Sequence, residues 1–123
     1  MKKKLVIVLV VAMVLILSLT ACGSLKDVSD LGDQFMSALS TRDNATSFSM
    51  LSADIQAEVG GEAGWAEWAA IRDFDEWKFT SNSVENNEAT LEGTAMLDGD
   101  EYLVTLVFTK NGDAWELTTI IFE

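Results

Sequence analysis

Hydrophobic residues divide the chain into two parts with different spacing. In the first part they recur at steps of three and four residues, which predicts an amphipathic helix over about 25–41. The residues that define its apolar face are Val28, Leu31, Phe35 and Leu39. Shorter helical pieces are expected at about 45–51, 53–59 and 62–71. Ser52 is placed to cap the second of these pieces, since a serine oxygen can accept a backbone N–H of the first helical turn.

From Glu76 onward hydrophobic and polar residues alternate, which is typical of strands with one buried face. Three polar turns separate the alternating runs: Glu85-Asn86-Asn87, Asp98-Gly99-Asp100 and Asn111-Gly112. Asn-Gly between alternating runs is the strongest short-range hairpin signal. The pattern therefore predicts an α+β fold, with N-terminal helices packed on one face of a curved antiparallel four-stranded meander.

The alternation also assigns a face to each strand residue. The core residues expected in the third run are Tyr102, Val104, Leu106 and Phe108. A two-residue turn at Asn111-Gly112 pairs Phe108 with Trp115 and places four more residues on the core face, namely Trp115, Leu117, Thr119 and Ile121. In the first run we prefer a three-residue turn after Val84, because it brings Trp77 and Phe79 into the core; a bulge would have the same effect.

The same register leaves an apolar cluster at one end of the outer sheet face. Its members are Met96, Leu103, Ile120 and Phe122. Contiguous exposed apolar residues usually mark a contact, so we expect an interface with a second copy of the chain or with another envelope protein. Cover of this patch by the chain ends is the competing explanation.

The first residues have the three zones of a secretory signal peptide: a basic start at Lys2 to Lys4, an apolar run from Leu5 to Leu17, and small residues before the single cysteine. Leu19-Thr20-Ala21-Cys22 resembles the lipobox of bacterial lipoproteins, and this resemblance implies that Cys22 is acylated, for example with palmitate. A transmembrane helix or an uncleaved signal anchor is the alternative.

These features predict the organisation of the chain and its location. We expect a signal peptide over 1–21, a lipidated tether over 22–24 and one α+β domain over 25–123. The expected location is extracytoplasmic, with the protein anchored to a bacterial cell membrane through lipidated Cys22. One acyl chain holds a protein to a membrane only marginally, whereas two or more anchor it stably.

The net charge of the chain restricts the classes of partner that we expect. Removal of residues 1–21 takes away three lysines and no acid, so the net charge of −12 becomes −15. Binding of nucleic acid or of anionic lipid head groups requires basic patches, so neither is expected. Histidine is absent, and the acidic turn Asp98-Gly99-Asp100-Glu101 lacks the ligand spacing of a calcium loop, so no metal and no cofactor are expected.

Helices followed by the strands WKFTSNSVENNEATLEGTAML and DGDEYLVTLVFTKNGDAWELTTI resemble the cone fold of nuclear transport factor two. More narrowly, the chain is similar to small bacterial lipoproteins of unknown function with that fold, in which a stretch like ALSTRDNATSFSMLSADIQAEV precedes strands that end in a Gly-x-x-Trp turn. The resemblance covers about 25–121. It implies a conical domain with a pocket between sheet and helices, and a fold that hosts enzymes, binders and scaffolds alike.

Candidate chemistry is sparse in this chain. Ketosteroid isomerase, an enzyme of this fold, uses an aspartate base with a tyrosine donor, but here Tyr102 has no aspartate beside it on the core face. Asp73 and Asp75 are expected at the pocket rim. Trp65 and Trp68 either line a ligand pocket with Tyr102 or close the core. A non-catalytic binding or interaction module, for a small apolar ligand or a protein partner, is therefore favoured over an acid–base enzyme.

Replacement of Cys22 by serine tests the predicted anchor. The Cys22→Ser variant lacks the thiol that would carry the lipid, so we expect unprocessed precursor and no acylated mature form. Metabolic labelling with a fatty-acid probe measures this directly. Undiminished label in the variant would contradict the assignment of Cys22.

Overall fold

The computed structural model describes residues 24–123. Within these residues four helices precede the strands: α1 (Ser24–Thr41), α2 (Asn44–Ser49), α3 (Ala53–Glu58) and α4 (Gly61–Ala69). Four strands follow: β1 (Glu76–Glu85), β2 (Glu88–Leu97), β3 (Asp100–Asn111) and β4 (Ala114–Phe122). None of the helices within 24–123 has the length and apolarity needed to span a membrane. The predicted signal peptide and Cys22 lie outside the described residues.

Helix α1 covers the inner face of the sheet, as its apolar spacing predicts. Its buried residues Val28, Phe35 and Leu39 belong to the hydrophobic core. Gly32 marks a close approach to the sheet, because a Cβ atom there would collide with the Leu91 side chain. A larger residue at this position would push the helix away from β2.

The short helices are fixed by their caps. The Asp43 carboxylate accepts the Thr46 backbone N–H at 3.2 Å and so begins α2. Ser52 caps α3, since its Oγ accepts the Ile55 backbone N–H at 3.3 Å, which confirms the role predicted for it. Gly60, with φ of +85°, turns the chain into α4.

The sheet is an antiparallel meander in the order β1-β2-β3-β4, and the helices pack on one of its faces. The predicted α+β fold is therefore confirmed. The expected alternation holds along β2 and β3: the buried strand residues are Ala89, Leu91, Gly93, Ala95, Val104, Leu106 and Phe108. Asp98 and Gly99 form the β2–β3 turn with φ of +52° and +86°, as a tight hairpin turn requires.

Trp77 and Phe79 do reach the core, but by a bulge rather than by a three-residue turn. Glu85 pairs with Glu88, so the β1–β2 turn has two residues. The register then shifts between Phe79 and Ser81, and this shift turns the two aromatic residues inward against the core.

The predicted pairing of β3 with β4 was wrong. The loop is Gly112-Asp113 rather than Asn111-Gly112, because Asn111 pairs with Ala114, and Phe108 consequently pairs with Leu117 instead of Trp115. Gly112 has φ of +66°. A positive φ at the first position of a two-residue hairpin loop favours glycine there. Trp115 and Leu117 keep the expected face because this change moves β4 by two residues.

A bulge at Thr118 reverses the faces of the rest of β4. Val107 pairs with Thr119 while Phe108 pairs with Leu117, so Thr118 is an extra residue. Its hydroxyl donates to the Val107 carbonyl at 3.2 Å, which holds the extra residue against β3. The Thr109 and Thr118 hydroxyls also lie 2.9 Å apart.

Ile120 and Phe122 therefore point into the core, not onto the outer face where the alternation predicted them. They pair with Leu106 and Val104, two buried residues, and both pack against the hydrophobic core. Ile121 takes the outer position and is 40% exposed. The prediction of Thr119 and Ile121 as core residues was wrong for the same reason.

Met96 and Leu103 do lie on the outer face, although they are not directly opposite each other. Leu103 pairs with Thr94, and Met96 pairs with Glu101. Leu103 is 57% exposed and Met96 is half-buried. The predicted four-residue apolar cluster thus loses two members and gains Ile121.

Two alanine substitutions test the register of β4. Phe122→Ala removes a ring packed against the core, so we expect a loss of about 2–4 kcal/mol in the free energy of unfolding. Ile121→Ala, the control one residue away, removes an outward side chain and should cost less than about 1 kcal/mol. Urea unfolding followed by circular dichroism measures both. A larger loss for Ile121→Ala than for Phe122→Ala would contradict the bulge and indicate that Ile121, not Phe122, faces the core.

Candidate functional site

A continuous row of aromatic rings runs through the interior between the helices and the sheet. Its successive ring centroids lie 6.1, 4.7, 6.0, 4.7 and 5.8 Å apart. The order of the row is Phe35, Trp65, Trp68, Phe122, Phe74 and Tyr102. Such separations are those of packed aromatic pairs, so the rings fill the space between them.

The inner end of the row is fixed by one buried hydrogen bond. The Trp65 indole N–H donates to Ser47 Oγ at 2.8 Å, and both residues are almost completely buried. The Ser47 hydroxyl can in turn donate to the Asp43 carbonyl at 3.2 Å. Since every polar group here has a partner, Trp65 is held as a core residue.

The predicted pocket of Trp65, Trp68 and Tyr102 is not one space. Trp65 and Trp68 stack on each other, whereas Tyr102 stands at the opposite end of the row. Phe122 and Phe74 occupy the positions between Trp68 and Tyr102. Trp65 is only 1% exposed, which supports its interpretation as a residue that closes the core.

Trp68 is covered from outside by Arg72. The guanidinium carbon lies 3.9 Å from a Trp68 ring centroid, and Nη1 donates to the Trp68 carbonyl at 2.7 Å. Partial burial lowers the pKa of Arg72 from its ordinary value, yet arginine stays cationic at neutral pH. The contact holds the end of α4 against the loop that leads to β1.

On the surface, the two tryptophans line an open groove between the helices and β4. We call it the β4 groove; its volume is about 300 Å³. Its lining residues are Ile55, Glu58, Val59, Trp65, Trp68, Thr118, Thr119 and Ile120. A second depression of about 560 Å³ shares Ile55, Glu58 and Thr118 with it, and we call this the acidic extension. The charged residues that line the extension are Asp54, Glu58, Lys110 and Glu116.

The groove exists because α3 is tied to the edge of β4 at one point. The Ser52 backbone N–H donates to the Leu117 carbonyl at 2.9 Å, and the Leu117 N–H donates to the Met50 carbonyl at 2.8 Å. Leu51 thereby forms a parallel bridge with Leu117. Beyond this bridge the helix begins at Ala53 and the strand continues, so a gap opens between them.

The carboxylates predicted at a pocket rim have structural partners instead. Asp73 forms an ion pair with Arg42 at 3.0 Å, and this hydrogen bond lowers the pKa of Asp73 from its ordinary value. The Asp75 carboxylate accepts the Asp98 backbone N–H at 3.3 Å. Within residues 24–123, no group of three or more acidic, histidine or cysteine side chains is arranged to hold a metal ion.

Comparison with known proteins identifies the fold. Neither a protein-family model nor a curated protein sequence matches the chain. A crystal structure from Campylobacter jejuni, provisionally described as an NTF2-like transpeptidase, matches with a TM-score of 0.59 and 11% sequence identity. The match covers 74% of this chain and 96% of that one. The domain therefore has the NTF2-like fold that the sequence resembles.

Sequence reasoning missed the residues that decide the shape of the site. Phe74 lies in a loop between α4 and β1, where periodicity gives no signal, and Phe122 was assigned to the wrong face. Ile55 and Val59 do lie together on one side of α3, as their four-residue spacing indicates. Their role as a groove wall depends on the Leu51 bridge, which no local pattern reveals.

Removal of the Ser47 hydroxyl tests how rigidly the aromatic row is fixed. Ser47→Ala leaves the buried Trp65 indole N–H without an acceptor, so we expect a loss of about 1–3 kcal/mol in the free energy of unfolding. Ser49→Ala is the matched control, since Ser49 is exposed and its hydroxyl bonds only the Thr46 carbonyl. Denaturant unfolding compares the two. Equal losses would show that the indole finds another partner.

Proposed function

We propose that this NTF2-like domain is a non-catalytic binding module that recognises a protein partner at its surface. It acts on the outer side of a bacterial membrane, where lipidated Cys22 holds it. The observation that carries the proposal is the aromatic row, because its rings occupy the interior space that a small apolar ligand would need. Recognition then falls to the surface, where the β4 groove is open.

The form of the groove favours a protein segment over a small molecule. Small-molecule sites usually bury most of their ligand in a concave apolar pocket. Here apolar side chains such as Ile55 and Val59 stand beside Glu58 and the Thr118 and Thr119 side chains in a shallow, open channel. The acidic extension lengthens this channel along the same strand.

The alternative of an acid–base enzyme like ketosteroid isomerase finds little support in the titratable groups. A general base at neutral pH needs a carboxylate whose pKa is raised towards 7. Asp73 has the opposite shift, since its ion pair with Arg42 lowers its pKa. Tyr102, the tyrosine that such a mechanism would use as a donor, packs edge-on against Phe74 at 5.8 Å.

A second candidate function is self-association through the outer sheet face. Leu103 is 57% exposed and Ile121 is 40% exposed, and Met96 lies close by on the same face. Exposed large apolar residues on a flat sheet favour a partner. This interface would leave the β4 groove free, so the two surfaces can be tested separately.

Site-specific photo-crosslinking in living cells tests the proposed function. A benzophenone amino acid at Val59 probes the β4 groove, and one at Leu103 probes the outer face of the sheet. Ser83, exposed on β1, is the control position. We expect a discrete protein adduct from Val59 that is absent from Ser83.

Two results would contradict the proposal. One is the absence of any adduct at both Val59 and Leu103 in the full chain. The other is native mass spectrometry of the extracted protein that shows one small apolar molecule bound per chain. An adduct at Leu103 alone, with the mass of a second copy, would favour self-association instead.

A further inference from the structure

The hydrogen-bonding pattern of β4 determines which of its backbone groups face the groove. Leu103 and Glu123 exchange two backbone hydrogen bonds, at 2.8 and 2.9 Å. In an antiparallel pair, hydrogen-bonded and non-hydrogen-bonded positions alternate. Ile121 therefore bonds β3, whereas the N–H and C=O groups of Ile120 and Phe122 point away from β3, towards the open edge.

Part of this edge is already occupied. Leu117 also presents its N–H and C=O to the edge, and the segment Met50 to Ser52 takes both of them. Beyond the Thr118 bulge the next edge positions are Ile120 and Phe122. No backbone group outside the sheet hydrogen-bonds these two residues within the described part of the chain.

We infer that an extended peptide segment carrying lysine or arginine binds in the β4 groove as an added strand, pairing with the backbone of Ile120 and Phe122. An unpaired strand edge is a template for pairing with another chain, and strand addition is a recurring mode of peptide recognition. The segment would continue along the edge from the point where the Leu51 bridge ends. This inference rests on the proposed function and names the partner of that same site.

Side chains around the edge provide a second layer of recognition. One wall of the groove is apolar, formed by Ile55 and Val59, and it ends at Trp68, whose ring is covered by Arg72. A strand places alternate side chains on opposite faces, so every second residue of the segment would meet this wall. An apolar β-branched residue suits those positions, because such residues favour the strand conformation and pack well on a pleated surface.

The charges around the β4 groove favour a segment of another protein over a second copy of this chain as its occupant. Glu58 lines both the groove and its extension, and Asp54 and Glu116 line the extension. Two cations lie along the same channel: Lys110 in the extension, with its ammonium 5.8 Å from the Trp115 ring, and Arg72, which stacks on the groove residue Trp68. The chain carries a net charge of −12. Two copies paired edge to edge would bring like charges together, whereas a cationic segment is attracted to the groove.

The test uses the full chain in nanodiscs of phosphatidylcholine, with empty nanodiscs as background. The probe is a fluorescent, acetylated heptapeptide amide of sequence Thr-Val-Lys-Val-Lys-Val-Thr, and its binding is followed by fluorescence anisotropy. We expect saturable binding to the wild-type chain. The same peptide with glutamate in place of both lysines should bind at least about tenfold more weakly, because its carboxylates are repelled by those of Glu58, Asp54 and Glu116.

Backbone methylation separates strand addition from side-chain binding. One peptide is N-methylated at its three valines, which removes all donors of one strand edge, and a second at its two lysines, which removes the two central donors of the other edge. Since only one edge of an added strand bonds β4, one methylated peptide should lose about tenfold or more in affinity and the other little. Equal binding of both methylated peptides and the parent would overturn the inference.

Two protein variants locate the site. Glu58→Lys places a cation in the groove and should weaken the lysine peptide by about fivefold or more. Glu67→Lys is the matched control, because Glu67 is exposed on α4 and lines neither the groove nor its extension. Equal loss in both variants would mean a general charge effect and would also overturn the inference.

The result also distinguishes this inference from the proposed function. Crosslinking at Val59 together with failure of every peptide would overturn strand addition and leave a protein-binding module with a different mode of recognition. Peptide binding without any adduct in cells would support the strand-addition site while contradicting its use by a partner in the cell.

Discussion

The extra residue in β4 determines the interior of this domain. Thr118 has no partner of its own in β3, and its hydroxyl bonds the Val107 carbonyl at 3.2 Å. Because a strand alternates its faces, one inserted residue exchanges inside for outside along the rest of β4. Phe122 thus enters the core, where it stands 4.7 Å from Phe74 and 6.0 Å from Trp68.

The Thr118 bulge and the Leu51 bridge together shape the interior and the surface along β4. With Phe122 inside, the aromatic row is continuous from Phe35 to Tyr102, and its rings pack on one another between the helices and the sheet. On the edge side, the same strand leaves the Leu51 bridge and opens the β4 groove. The bulge therefore places Phe122 in the interior, while the end of the Leu51 bridge leaves the following part of the β4 edge open. For this reason we propose that recognition takes place at the surface of the domain.

The amino-acid sequence predicts those parts of the fold in which periodicity is unbroken. The helix of Val28 and Phe35, the alternation along β2 and β3, and the Ser52 cap are all readable from local pattern, because each depends on neighbours close in sequence. The β3–β4 loop and the Thr118 bulge are not readable in this way. A threonine at a bulge cannot be distinguished in the sequence from a threonine in a regular strand. The packing of Phe122 in the core decides between the two arrangements. The candidate site shares this limit, since Phe74 and the groove walls come together through tertiary contacts.

The central claim is that the interior is filled by the aromatic row, with Phe122 in its middle. The most direct measurement is the set of proton–proton nuclear Overhauser effects from the Phe122 ring in the isotope-labelled protein. We predict cross-peaks from Phe122 to the rings of Trp68 and Phe74, and none from Phe122 to Leu103. Cross-peaks from Phe122 to Leu103 or Met96, with Ile121 in contact with Phe74, would place Phe122 on the outer face and contradict the claim.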